Sequence, residues 1–369
     1  MNQNDLPEFF RDFNPLEDKM LRVTDNEGHV VNKKLMPKLS DETVIGVYKD
    51  MFYERVADEM AISYQRQGRM FTYTPNLGQE AIHIAAGKII RENDWLVPAF
   101  REMGTLLAKG VTMKEMFLFY LGNEHGGSFK NAKNTLPIAI SIGTQFHHAT
   151  GIGYSLKQQK KNEAVFTFIG DGGTSEGDFS ESLNFASVWQ VPVVFTIQNN
   201  QYAISVPVKS QTKSINLAVK SVAFGIPGIK VDGNDFFAMY LAYKTASEYA
   251  LAGKGPVLIE AFTYRLGAHT TSDDPSKYRK KEEEEEWALV DPLIRLERYM
   301  KNNNIWNIDI DALRDKYKKE IDAQFIDAEK NKAYPMDDIF KYIYSDMPHE
   351  LVRQKAEYEQ FLNWKESRK

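Results

Sequence analysis

The chain has 369 residues, 46 Lys and Arg against 51 Asp and Glu, and a net charge of −5. It contains no cysteine, so disulfides, thiolate nucleophiles, iron–sulfur clusters and Cys-ligated zinc are excluded. With 43% hydrophobic and 26% charged residues it reads as a globular protein, and its mildly acidic balance argues against holding nucleic-acid phosphates by bulk charge.

The N-terminal MNQNDLPEFFRDF has no basic stretch leading into an apolar run, and no segment approaches about 20 consecutive apolar residues. A cytoplasmic protein with no membrane segment is expected. Residues 1–40 are polar and irregular, and read as an extension over a core or a partner. From Asp41 to Arg66, Val44, Val47, Tyr48, Met51, Phe52 and Val56 recur at helical spacing. Further helices are expected over Gln79–Ile90 and Met113–Tyr120.

The middle of the chain changes character. Ala164–Ile169 and Val191–Ile197 are short, continuously apolar runs, with Phe179, Leu183 and Ala186 marking an amphipathic helix between them. Further strands are expected at Gly228–Val231 and Val257–Phe262, separated by a helix over about 236–252. Uninterrupted apolar strands alternating with helices predict an α/β fold with a parallel sheet covered on both faces. After an acidic run at Glu282–Glu286, which reads as a solvated helix start, helices are expected at Trp287–Tyr299 and Ile310–Ala328. The resulting division is an extension (1–40), an α/β domain (41–300) and a helical C-terminal region (301–369).

Chemistry concentrates between Gly170 and Ser205. Gly170-Asp-Gly-Gly173 follows one strand and precedes a helix, the place where parallel sheets bind ligands. Glycines there admit a close diphosphate, and the helix start offers N–H groups. Asp171 would repel bare phosphate, so its presence makes sense if a divalent cation bridges the two. Asn199-Asn200 ends the next strand, and the intervening residues suffice for one helix and one strand. Asp171 and Asn200 therefore fall at neighbouring strand ends, as one oxygen-ligated Mg²⁺ requires. Taken singly, each feature is no more than a turn or a loop. A nicotinamide fingerprint fails because Ser175 stands at the third glycine position, and no P-loop is present.

GDG, some thirty residues and NN form the thiamine diphosphate motif. The longer string GDGGTSEGDF…NNQYAIS resembles the alpha subunits of 2-oxo acid dehydrogenase E1 components, most nearly the members acting on pyruvate. The resemblance extends from about Leu39 to Arg353 and includes TPNLGQEA (74–81), FRE (100–102), IGTQ (142–145), GIPGIKVDGND (225–235) and YRLGAHTTSDDPSKYR (264–279). It implies an α/β thiamine diphosphate-binding domain with helical extensions. It also implies Mg²⁺ held by Asp171, Asn200 and the Tyr202 carbonyl, with Gly172 and Gly173 giving N–H groups to the diphosphate.

Arg101 matches the family's phosphate-binding arginine, and Phe100 stands where tyrosine is usual. Ile140 and Ile142 match the segment that holds the aminopyrimidine, Ile142 as its apolar wedge. His269 matches a loop histidine near diphosphate and substrate, and His125, in NEHGG, falls roughly where relatives carry another active-site histidine. His147 and His148 read as packing or surface groups. Asp178 and Glu181 match acids that link distant active centres, although Asp178-x-x-Glu181 also has the spacing of a helix capping box. Thr270 and Ser276 lie where mitochondrial relatives are phosphorylated, and a substrate-gating loop is the reading here.

The resemblance further implies oxidative decarboxylation of pyruvate, with the acetyl unit passed to a lipoyl group on an acyltransferase partner. The glutamate that activates the cofactor would come from an E1 beta subunit, giving an α2β2 tetramer that is inactive without it. Branched-chain 2-oxo acids are the alternative substrates, and a non-catalytic diphosphate-binding assembly protein is the alternative class.

Overall fold

A computed structural model describes residues 6–368. Its centre is a six-stranded sheet in the order β1-β7-β8-β4-β3-β2. The strands are β1 (Met20–Leu21), β2 (Trp95–Val97), β3 (Val165–Gly170), β4 (Val193–Asn199), β7 (Gly228–Asp232) and β8 (Val257–Phe262), with β5 (Tyr202–Ala203) and β6 (Val206–Pro207) forming a separate antiparallel hairpin. Every pairing within the large sheet is parallel.

Side-chain alternation explains both faces of the sheet. Phe166 and Phe168 of β3 join Val194, Ile229 and Ile259 under the helices Asp41–Arg66, Glu80–Ile89 and Phe236–Leu251. Val165 and Ile169 point the other way, with Phe195 and Leu258, onto Phe146, Phe179 and Leu183 of the helices Thr144–Gln158 and Gly177–Trp189. Because both faces are buried, the strands carry no polar alternation and read as apolar runs.

Several expectations are corrected. Residues 1–40 are not merely an extension, because β1 extends the sheet by pairing with β7, and Leu21 and Val23 are fully buried. The expected helix Trp287–Tyr299 is two helices, Lys281–Ala288 and Pro292–Asn302. Asp291 caps the second from its side chain, and Pro292 cannot donate a helical N–H, so the break falls there. The C-terminal helix Ile310–Lys330 buries Tyr317, Ile321 and Phe325 in the core, with the Tyr64 and Phe325 rings stacked at 3.7 Å. The last helix, His349–Glu366, has no buried residue. No helix among the described residues is long and apolar enough to cross a membrane.

Candidate active site

The carboxyl ends of β3 and β4 open into a cavity of about 670 Å³. Phe100, Arg101, Ile140, Ile142, Asp171, Gly172, Gly173, Asn200, Tyr202 and His269 all line it. Sequence-distant segments are brought together because β3 and β4 are paired neighbours, in register from Val165↔Val193 to Gly170↔Gln198.

Asp171 is 2% exposed and stands just before a short 3-10 turn, Gly172–Ser175, without a side-chain cap bond to it. The Asn200 side-chain amide lies against Asp171 Oδ1 at 3.3 Å and the Tyr202 carbonyl at 3.1 Å and donates its N–H₂ group to both. Asp171, the Asn200 amide and the Tyr202 carbonyl therefore converge, and a half-turn of the amide would present its oxygen to the same point. With its oxygen turned inward, the carboxylate, amide oxygen and carbonyl would make a suitable set for a hard divalent cation. Burial pushes the Asp171 carboxyl up to about 6, against which a hydrogen bond from Gln211 Nε2 at 2.9 Å acts. The donor set fits Mg²⁺.

The glycines leave room beside it. A Cβ on Gly172 would meet Ala203, and one on Gly173 would meet Ile169 and Ile142. Ile142 therefore lies against the glycine turn, where a larger residue at 173 would displace it. Arg101 is 5% exposed and donates from Nη2 to the His269 carbonyl at 2.8 Å and from Nη1 to the Pro75 carbonyl. Its guanidinium lies 5.5 Å from the Phe100 ring centre, so the ring keeps a packing role without a hydroxyl.

A second cavity-lining arginine escaped the sequence reading. Arg265, at the end of β8, is 1% exposed and donates to the carbonyls of Tyr202 (3.0 Å) and Ile204 (2.7 Å). It thereby holds the β5–β6 hairpin, including Ile204 at φ +54°, a conformation unfavourable for a β-branched residue. Burial depresses the ionisation of both arginines, Arg101 to about 10, and Arg265 further lowers Arg101. Two buried guanidinium groups lining one cavity suit an anionic ligand.

His269 sits beside them, its Nδ1 at 3.4 Å from Arg101 Nη2. Burial, then the charges of Arg101 and Arg265, push its imidazole down to about 4, so it is neutral at physiological pH. The loop around it is tied rather than loose. Asp273 accepts from the His269 N–H at 2.9 Å and from the Tyr278 hydroxyl at 2.5 Å, while Arg279 donates to the carbonyls of Arg265 and Gly267.

Gln79 is the other unforeseen lining residue. Its side chain is fully buried, and neither amide atom has a partner among the described residues. The cavity's rim carries exposed apolar side chains, Ile140, Ile142, Ile204 and Val206, between 40% and 61% exposed.

His125 stands apart from the other expected site residues. It does not line the cavity, and its Nε2 pairs with Asp338 at 2.7 Å beside Tyr334. The capping-box reading also fails, since Glu176 is the N-cap of the Gly177–Trp189 helix and makes no side-chain cap bond. Asp178 and Glu181 instead flank His147 at 3.5 and 3.6 Å.

Fold and site define a parallel α/β protein with a charged ligand cavity at the carboxyl ends of its strands. More specifically, the chain belongs to the dehydrogenase E1 component family, which it matches over residues 48–337. It is 46% identical to the pyruvate dehydrogenase E1 component subunit alpha of Acholeplasma laidlawii over 341 residues, 92% of this chain and 99% of that protein. Proteins of the same description from Mycoplasma genitalium (41% over 343 residues, 93% and 96% covered) and Staphylococcus aureus strain Mu50 (39% over 344, 93% of each) are also similar.

Proposed function

We propose that this chain is the alpha half of a pyruvate dehydrogenase E1 enzyme, binding thiamine diphosphate through Mg²⁺. One observation carries the reading. The Asp171 carboxylate, the Asn200 amide and the Tyr202 carbonyl converge in a cavity with two buried arginines, groups suited to a cation and the diphosphate it would bridge. When bound, thiamine diphosphate supplies the carbanion chemistry that releases carbon dioxide from a 2-oxo acid.

The remaining work falls to residues of this chain. Arg101 and Arg265 would hold the phosphate oxygens with donors that now meet backbone carbonyls, and the Gly172 and Gly173 turn leaves room for the diphosphate close to the main chain. Ile142, on the cavity lining beside the glycine turn, would pack against the apolar ring system of the cofactor. His269, neutral and at the cavity wall, offers a nitrogen for holding or moving a proton beside the substrate. The preference for pyruvate over branched-chain 2-oxo acids is supported by the description shared by the three relatives.

A partner chain completes the site in this reading. The glutamate expected to activate the cofactor is assigned to a beta subunit seated over the apolar rim, in an α2β2 assembly that passes the acetyl unit to a lipoyl group of an acyltransferase. Co-expression with a beta chain should give cofactor-dependent turnover of pyruvate that exceeds that of 2-oxoisovalerate and is abolished by Asp171→Ala. Robust pyruvate decarboxylation by the isolated chain, or turnover indifferent to Asp171→Ala, contradicts it.

A further inference from the structure

Behind the cavity wall runs a chain of hydrogen bonds that the reaction as described does not use. Glu54 Oε1 lies 2.6 Å from His83 Nδ1, and His83 Nε2 lies 2.8 Å from Gln198 Oε1. Gln198 Nε2 donates to Glu102 Oε1 at 2.5 Å, and Glu102 Oε2 accepts the Arg101 N–H at 3.1 Å. Glu54 and His83 are fully buried, Glu102 is 1% exposed and Gln198 3%. Glu102 and Gln198 line the cavity, whereas Glu54 and His83 belong to the helices behind it.

The polarity of this chain follows from its ends. A carboxylate at Glu102 requires the Gln198 nitrogen to point at it, which turns the Gln198 oxygen toward His83. The other ring nitrogen meets the Glu54 carboxylate. Both nitrogens face acceptors, so both must carry protons, and His83 is an imidazolium between two acids.

We propose that His83 is a positioning residue for the cofactor cavity, whose fixed positive charge holds Glu102 as a carboxylate through Gln198 and so anchors the Arg101 main chain. The inference rests on the reading of the cavity as a thiamine diphosphate site. Burial acts to lower the imidazole, but Glu54 beside it carries it up to about 9. Burial raises Glu102 to about 7, and His83 is the first of the charges opposing that rise. The ionisable groups facing the pair are Glu54 and Asp58 from the Asp41–Arg66 helix, Arg101, Tyr120, and Tyr243 from the Phe236–Leu251 helix. Among them only Arg101 also favours the Glu102 carboxylate, and Arg101 is the residue being positioned.

The test measures the thiamine diphosphate Kd, by tryptophan fluorescence at saturating Mg²⁺, for the assembled α/β enzyme between pH 6 and 9. Wild type should lose affinity as pH falls through about 7. His83→Gln removes the charge, so its loss of affinity should begin about one pH unit higher, giving a Kd about threefold above wild type at pH 7.5 and approaching tenfold toward pH 6. Glu54→Gln weakens the imidazolium from the far end and should shift the profile the same way, which covers the case of a misfolded His83 variant. Glu102→Gln is uncharged, so it should flatten the profile, and adding His83→Gln to it should change Kd by less than twofold. Profiles parallel to wild type, or additive effects of His83→Gln and Glu102→Gln, overturn the relay and leave His83 a packing residue. Absence of any cofactor binding by wild type overturns the cofactor reading and this role with it, an outcome distinct from an unshifted profile.

Discussion

Replacing Asp171 with asparagine should separate stability from function in opposite directions. The carboxyl is 2% exposed, and burial raises it from 3.8 to about 6 in the cation-free protein. A raised folded-state value means that its contribution is most favourable below pH 3.8 and is lost as pH climbs through about 6. At pH 7.5 the loss is complete, and about two pH units correspond to roughly 3 kcal/mol. Asparagine keeps an oxygen for the Gln211 amide and adds an N–H₂ group that the Asn200 amide, turned to present its oxygen, can accept from. Asp171→Asn should therefore stabilise the cofactor-free protein by roughly 1–3 kcal/mol at pH 7.5, the lower bound allowing for imperfect amide geometry. Urea unfolding in the presence of EDTA would measure it, and the gain should shrink as the buffer is taken from pH 7.5 to 5. The same variant should lose Mg²⁺-dependent thiamine diphosphate binding. Destabilisation at pH 7.5, or wild-type cofactor affinity, would refute the argument that this carboxylate is strained for the sake of a cation.

Gly173→Ala should be destabilising by about 1–3 kcal/mol in thermal unfolding, because its methyl must displace Ile169 and Ile142, and should weaken cofactor binding as the wedge shifts. Arg265→Lys loses the fork that reaches both Tyr202 and Ile204, and a calorimetric cofactor titration should show Kd raised by roughly 10- to 100-fold, the worth of one or two charged hydrogen bonds. His125→Ala, far along the chain's other contacts with Asp338, should leave cofactor affinity unchanged in the same titration. Fluorescence-monitored stability should fall as pH rises from 6.5 through about 9, the window over which His83 loses its proton, and His83→Gln should flatten that slope.

Legibility in the sequence tracked how local each signal was. The helix Asp41–Arg66 begins and ends as its periodicity predicts, because one face of 26 residues is read by the core and Ser40 caps it. Strand β8 likewise matches, and β3 and β4 are displaced by one or two residues toward the glycine and asparagine ends. The short strands β1 and β2 escaped, since two or three residues carry no period, and what makes them strands is a neighbour already in place. At the site, the residues of one contiguous motif were legible as a set. Arg265 was not, because its meaning lies in carbonyls some sixty residues away. His83 sits in an apolar helical stretch, AIHIAA, that reads as ordinary core, and its partners come from a different helix and from β4.

The ring of exposed isoleucine and valine around the cavity has a consequence for the cell rather than for the reaction. In the assembly proposed above, a copy of this chain without its partner presents adhesive surface beside an incomplete cleft. Surplus copies are then candidates for aggregation or for capture by chaperones and proteases. Synthesis of the two subunits in matched amounts becomes a requirement of the surface itself, and an imbalance between them would register as lost protein before it registered as lost flux.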